Sequence, residues 1–215
     1  MNNKYISALH FDWLTRFYDP IMKWTMREQT FKRQLIQQAN IKAGHRVLDL
    51  GCGTATLSIM LKEVHPGAEV VGLDGDVKAL SIAQRKIADA GLDIELKKGM
   101  SFDLNFPDQS FDRVVSSLLF HHLTTKRKLE TLAEIKRILK RGGELHIADW
   151  GKSQNLLMRC TFLIVQFLDG FTTTSESVQG KLLDYMKQGG FENAGETKRF
   201  NTIFGTLSLY RAILK

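Results

Sequence analysis

Two groups of residues have the types and spacing to do chemistry. The first is the run Val47-Leu48-Asp49-Leu50-Gly51-Cys52-Gly53-Thr54-Ala55. A short apolar stretch there delivers a carboxylate and a Gly-x-Gly turn, and glycines let a backbone approach a ligand closely. Thr54 is placed to cap the helix expected next, whose N-terminal N–H groups would attract an anionic carboxylate. Alone, this fragment reads equally well as a tight turn. Asp74 adds weight, because it ends a second apolar run 21 residues after Gly53. An acidic residue there hydrogen-bonds the hydroxyls of a cofactor ribose, although in isolation it would read as a helix N-cap. The second group is His121-His122, after a fourth apolar run, with Asp149 at the end of a fifth. Histidine titrates near neutrality and suits a general base, and Asp149 is a second candidate base. The plainer alternatives are a structural hydrogen bond for the histidines and capping or loop anchoring for Asp149.

The identity of the cofactor turns on two positions. The dinucleotide fingerprint Gly-x-Gly-x-x-Gly needs a small residue at its sixth position, and that position is Thr56. Asp49, just ahead of the glycines, would repel a pyrophosphate. It suits a cofactor carrying an ammonium and a sulfonium. A nicotinamide-dependent oxidoreductase is therefore the weaker alternative.

These residues need elements to hold them. Val47–Leu50, Val70–Leu73, Ile94–Lys98, Val114–Leu118 and Leu145–Ala148 read as strands too short to be helices. Leu57, Leu61 and Val64 repeat at helical spacing after the first, and Leu80, Ala83 and Ile87 after the second. Leu129, Leu132, Ile135 and Leu139 do so after the fourth, in a helix expected to end at Gly142-Gly143. Such alternation predicts a parallel sheet covered on both faces. Two further strands, Thr197–Phe204 and Leu207–Leu214 with Gly205 between them, would add an antiparallel pair at its edge. Leu182–Lys187 reads as a helix closed by Gly189-Gly190. His10 to Ala39 reads as two helices broken at Asp19-Pro20.

Composition fits one ordinary globular domain. The chain has 215 residues, 43% apolar and 25% charged, with three prolines. Its net charge of +7 raises the question of nucleic acid. The basic residues are scattered, and Lys136, Arg137, Lys140 and Arg141 are expected to complement a helix C-terminus. Cys52 and Cys160 lie far apart and form no metal-ligand spacing, so a reducing cytoplasm and no metal are expected. The N-terminal residues show no apolar signal segment, and the Leu156–Leu168 stretch is too short to span a bilayer. That stretch reads either as a buried helix or as a wall for an apolar acceptor that also touches a membrane surface.

The motifs together resemble those of class I S-adenosylmethionine-dependent methyltransferases. VLDLGCGTA resembles their first motif and VVGLD their ribose motif. KKGMSFDLNFPDQSFDRVVSSLLFHHL is similar to their third- and fourth-strand motifs, and LKRGGELHIAD to the run into the fifth strand. An early Phe-Tyr-Asp and a late Gly-Gly-Phe resemble the ubiquinone/menaquinone-biosynthesis branch, of the methyltransferase domain 11/25 kind. The resemblance implies an α/β, doubly wound, Rossmann-like fold. Its seven-stranded sheet would be mostly parallel, with an antiparallel C-terminal hairpin and N-terminal helices. One domain would cover 1–215, with a helical cap at 1–43, the cofactor core at 44–150 and the substrate-side helices and hairpin at 151–215.

The same resemblance implies roles for particular residues. Asp49, Gly51, Gly53 and Thr54 would line the methionine part of S-adenosyl-L-methionine, whose product is S-adenosyl-L-homocysteine. Asp74 would hold the ribose, Gly75 would lie beside the adenine, Met100 and Ser101 at the adenine edge, and Ser117 near the methionine end. Tyr18 would close over the methyl group. Three positions depart from the pattern: Ala55 where glycine is frequent, Gly75 where a bulky residue packs on adenine, and Met100 where many members have Asp. Methionine cannot accept from the adenine amino group, a loss of about 1 kcal/mol that Ser101 or Asp103 would have to offset. The expected activity is methyl transfer to a small, lipophilic or aromatic acceptor, with no nucleic-acid partner. The alternatives are a non-catalytic module that binds the methyl donor and an RNA or protein methyltransferase.

Overall fold

Val47, Leu48 and Leu50 are completely buried, so the first apolar run lies where both faces of a sheet are covered. It forms β1 (Arg46–Leu50) at the middle of a seven-stranded sheet in the computed structural model. The structure describes residues 28–154, 158, 159, 162, 163, 176, 179–191 and 193–215. The other strands are β2 (Glu69–Asp74), β3 (Glu95–Lys98), β4 (Phe111–Ser117), β5 (Leu139–Trp150), β6 (Gly195–Thr202) and β7 (Gly205–Ile213). The described helices are α1 (Glu28–Ala39), α2 (Thr56–Val64), α3 (Val77–Asp89), α4 (Thr125–Ile138) and α5 (Leu182–Gln188).

The sheet order is β3-β2-β1-β4-β5-β7-β6. The first five strands are parallel and β7 runs antiparallel to both β5 and β6. One core packs residues of α1, α2 and α3 against the sheet, including Phe31, Leu35, Leu57, Leu61, Ala83 and Ile87. The other packs α4 and α5 against the opposite face through Leu132, Ile135, Ile138, Leu182 and Met186. The direction of winding reverses between β1 and β4, so the crevice beyond their C-terminal ends is where such a sheet binds ligands. The expected doubly wound sheet with its terminal antiparallel pair is therefore what the chain forms.

Several local expectations change. Helix α4 stops at Ile138 and Leu139 enters β5 directly, pairing with Phe111, so Gly142-Gly143 lies within the strand. A register shift between Phe111 and Arg113 absorbs the extra residues, with Gly142 at φ +74°. Lys140 and Arg141 are consequently strand residues, and Lys140 bonds Asp112 at 2.8 Å. Val64 is 57% exposed at the end of α2, so it does not continue the buried face of Leu57 and Leu61. Ala79, in place of Leu80, joins Ala83 and Ile87 on the buried face of α3. The β6–β7 turn is Ile203-Phe204, and Gly205 opens β7 opposite Thr202. Gly205 has φ +144°, and a Cβ there would come within 3.0 Å of the Phe162 ring.

The Asp19-Pro20 break, the helices expected before residue 28, Tyr18 and Cys160 lie outside the described residues. Of the 156–168 stretch, 158, 159, 162 and 163 are described and helical. Among the described residues no helix is long and apolar enough to cross a membrane, and no group of three or more His, Cys, Asp or Glu is arranged to hold a metal.

No helix joins β3 to β4. Residues 99–110 make that passage as a loop, and one side chain fixes it. The Arg137 guanidinium donates to the carbonyls of Phe106 and Leu104 at 2.7 Å each, and to Asp108 and Glu134. Glu134 in turn accepts from the Leu104 N–H at 2.9 Å. A planar fork can serve both carbonyls and both carboxylates at once, which an ammonium cannot. Arg137→Ala is expected to cost about 1–3 kcal/mol in urea denaturation. It should also raise hydrogen exchange across 104–108, and Arg137→Lys should restore little of either.

Candidate active site

The turn after β1 is built from left-handed residues. Gly51 has φ +76° and Gly53 φ +54°. A Cβ on Gly51 would press on the Leu119 side chain at 3.0 Å, whereas one on Gly53 would meet nothing within 4 Å. The space beside Gly53 is thus open at the switch point of the sheet. Ala55 also sits at φ +61°, a conformation that costs an alanine about 1 kcal/mol relative to glycine. The expected Thr54 cap is corrected: Ala55 is the N-cap of α2 and offers no side-chain bond. The Thr54 hydroxyl instead accepts from Lys86 Nζ at 3.2 Å, and the same ammonium donates to Thr56 Oγ1 at 2.9 Å. Lys86, on α3, thereby clasps the turn against its neighbour.

Asp74 ends β2 beside this turn. Its Oδ2 accepts the Gly53 N–H and its Oδ1 the Asp76 N–H, both at 2.8 Å. The capping role belongs to Asp76, whose Oδ1 accepts from the N–H groups of Lys78 and Ala79. Burial pushes the Asp74 carboxyl above the ordinary range, against the pull of those backbone donors. Asp74 remains partly exposed, and each of its oxygens retains a lone pair for a ribose hydroxyl. Gly75 follows it, also partly exposed.

Asp49 is the most unusual residue of the site. It is 1% exposed. Its Oδ2 accepts from the Ser58 hydroxyl at 2.6 Å, and its Oδ1 has no hydrogen-bond partner. Burial pushes its pKa up to about 6, moderated by the Ser58 bond and the charge of Lys32. A buried acceptor left without a donor is rare and costly.

After β3, Met100 and Asp103 form an isolated bridge that shapes a tight turn. The Ser101 hydroxyl is paired with Thr131 on α4 at 2.9 Å and is buried, so its hydroxyl is already engaged there. Met100 is partly exposed and Asp103 exposed. Ser117 ends β4, partly exposed, and Leu118 then turns the chain at φ +58°. This strained step leads into a 3-10 turn, Phe120–His122.

That turn brings His121 to Asp149. His121 Nδ1 lies 2.8 Å from Asp149 Oδ1, and both side chains are buried. Asp149 Oδ2 accepts the N–H groups of Phe120 and His121, and Oδ1 that of Trp150. Burial alone would raise the Asp149 carboxyl, but the His121 imidazole and these donors hold it below the ordinary range. The carboxylate therefore anchors the His121 ring through Nδ1. The His122 ring lies against that of His121, tilted by 41°, with centroids 4.0 Å apart. Burial, helped by the neighbouring His121, pushes the His122 pKa down to about 3.

Sequence reasoning missed Ser58 and Lys86. Ser58 is a completely buried hydroxyl between Leu57 and Leu61 on the apolar face of α2, and a polar residue at such a position was the available signal. Lys86 gave none, because its helix position is indistinguishable from a solvated one.

Residues 47–143 match the methyltransferase domain family. The demethylmenaquinone methyltransferase of Thermus thermophilus is 38% identical over 120 residues, covering 56% of this chain and 54% of that protein. That of Lactobacillus johnsonii is 30% identical over 188 residues, 78% of this chain and 76% of that protein. The chain thus spans about half the length of the Thermus relative. Among solved structures, the S-adenosylmethionine-dependent methyltransferase SibL in its apo form superposes with a TM-score of 0.75 at 21% identity, over 92% of this chain and 57% of that one. The fold and the β1 and β2 motifs define a class I S-adenosylmethionine-dependent methyltransferase. Within that class, the chain belongs to the menaquinone/ubiquinone-type methyltransferase family.

The cofactor that this family and fold imply is S-adenosyl-L-methionine, and the residues present fit it. The partnerless Asp49 oxygen suits an ammonium, the open space at Gly53 admits a ligand against backbone, and Asp74 retains acceptor capacity for a ribose.

A buried carboxylate with a raised pKa destabilises the empty protein whenever it is ionised. Above pH about 6 the native state carries this charge; below it, Asp49 takes up a proton and the penalty lifts, vanishing below the unfolded value near 3.8. Asp49→Asn is therefore expected to stabilise the empty protein by about 2–3 kcal/mol at pH 7.5. Denaturation midpoints should show the gap closing between pH 6 and pH 4, and the variant should lose affinity for the methyl donor.

Proposed function

We propose that this chain transfers a methyl group from S-adenosyl-L-methionine to a small lipophilic acceptor of quinol type. One observation carries the reading. The C-terminal ends of β1, β4 and β5, which are neighbours in the sheet, carry a buried acceptor that lacks a donor and a buried His–Asp pair. The relatives named demethylmenaquinone methyltransferase support a quinone-related acceptor. When bound, the cofactor supplies an electrophilic methyl group on a sulfonium. The residues of the chain do the rest. Asp49 accepts from the cofactor ammonium, and Asp74 accepts from the ribose hydroxyls. His121 takes the acceptor's proton at Nε2, and Asp149 orients the imidazole and stabilises its charged form. His122, with its pKa near 3, is too weak a base at neutral pH and packs against His121. Ser117 borders the methionine end, and Met100 and Gly75 form the adenine side. The proposed setting is the cytoplasm, in keeping with the free thiol of Cys52. The proposed partner is a lipophilic small molecule met at a membrane surface rather than a nucleic acid.

The test is a transfer assay with reduced naphthoquinones and benzoquinones, with product followed by mass spectrometry. Methylated product should appear in step with S-adenosyl-L-homocysteine. His121→Ala should lower kcat by roughly 10²–10⁴-fold while leaving cofactor affinity near wild type. Cofactor binding with no methylation of any quinol would sink the reading and leave a module that only holds the methyl donor.

A further inference from the structure

We propose that Ser58 is a positioning residue for cofactor binding: its hydroxyl holds one oxygen of Asp49 and so reserves the other for the ammonium of the methyl donor. The inference rests on the methyl-donor reading above.

The geometry has three parts. Ser58 is completely buried in the first turns of α2, and its Oγ donates to Asp49 Oδ2 at 2.6 Å. A bond this short to a carboxylate is charge-assisted and strongest when Asp49 is ionised. The second oxygen, Oδ1, is buried and has no partner, on a residue two positions ahead of the Gly51–Gly53 turn. Without the Ser58 bond the carboxylate would have no hydrogen-bond donor, and would be expected to rotate or to stay protonated. With Ser58 in place, rotation breaks the one strong bond it has, so the unsatisfied oxygen is fixed in place. The cost of leaving it unsatisfied is recovered when a cationic donor arrives, and a neutral ligand could not recover it.

The groups that set the charge of Asp49 come from three elements around it. Lys32 of α1 favours the carboxylate, Asp74 of β2 opposes it, and Ser58 of α2 favours it through the hydrogen bond. Lys32 is itself paired with Glu28 at 2.5 Å, one turn away on the same helix. Its charge is therefore already engaged, and Ser58 is the donor that directly touches Asp49. Ionised Asp49 is the form that binds an ammonium. Affinity for an ammonium-bearing ligand therefore falls as pH drops through the Asp49 pKa of about 6. Removing the Ser58 bond moves that fall to higher pH.

Two probes separate this role from simple packing. S-adenosyl-L-homocysteine carries the ammonium, whereas 5′-methylthioadenosine has the same nucleoside without the amino-acid arm. Calorimetric titration of each would be run from pH 5 to pH 8 on wild type, Ser58→Ala and Ser58→Cys. Cysteine fills similar space with a much weaker donor, which guards against a variant that fails to fold. Ser58→Ala should bind S-adenosyl-L-homocysteine about tenfold or more weakly while keeping wild-type affinity for 5′-methylthioadenosine. Ser58→Cys should show a smaller loss in the same direction. Both pH profiles should shift upward. Equal weakening of the two probes, or an unchanged pH profile, would overturn the role of Ser58. A wild-type preference for S-adenosyl-L-homocysteine that does not change with pH would overturn it as well. If wild type binds neither probe, the methyl-donor reading itself falls, and this inference with it.

Discussion

The structure depends on keeping one carboxylate out of water. Asp49 sits on the central strand, in contact with the core that α1 and α2 form on the sheet, and only one of its oxygens is satisfied. Every neighbouring element adjusts to that fact. Helix α2 contributes a hydroxyl where an apolar residue would pack better. The turn after β1 is left-handed at Gly51, Gly53 and Ala55, which keeps side chains away from the space in front of the carboxylate. Asp74 takes the Gly53 N–H and so fixes the turn from the β2 side. Local rules of foldability are broken at this point, as expected where function sets the residue.

The second ionisable pair is satisfied where the first is not. Asp149 collects four donors: three backbone N–H groups and the His121 imidazole. A carboxylate so completely bonded stays ionised despite its burial. The sheet thus carries two buried aspartates at the same end with opposite electrostatic character. One is held below its ordinary pKa by surplus donors, the other above it by their shortage. Their environments, not their residue type, suit the two aspartates to the different roles proposed for them.

Much of this was legible in the residues themselves. The apolar runs around Val47, Val70, Val114 and Leu145 gave the parallel strands, because a strand buried on both faces must be continuously apolar. Asp74 was legible from its distance to Gly53. The β5 boundary was not, since the sequence Leu139-Lys140-Arg141-Gly142-Gly143 carries turn signals that a bulge uses inside a strand. Nor was the capping at either helix start. Thr54 looks like a cap, but Lys86 claims it from α3, a contact set by tertiary packing. Asp76 stands two residues after Asp74, and only the geometry assigns one to the helix and the other to the turn. The link between Ser58 and Asp49 depends on how α2 lies over β1, which periodicity does not report.

The pairing of β5 with β7 has a bearing on how the molecule is made. Strand β5 joins the sheet through β4 on one side, but its other side is covered only by β7 along Glu144–Trp150. The intervening segment, with α5 and β6, emerges from a ribosome first. During that interval a long strand carrying Asp149 presents an open row of backbone donors and acceptors, the kind of edge that invites pairing with another nascent chain. Closing that edge and completing the surroundings of the His–Asp pair are the same event. A molecule whose hairpin has not docked is at once prone to aggregate and chemically incomplete.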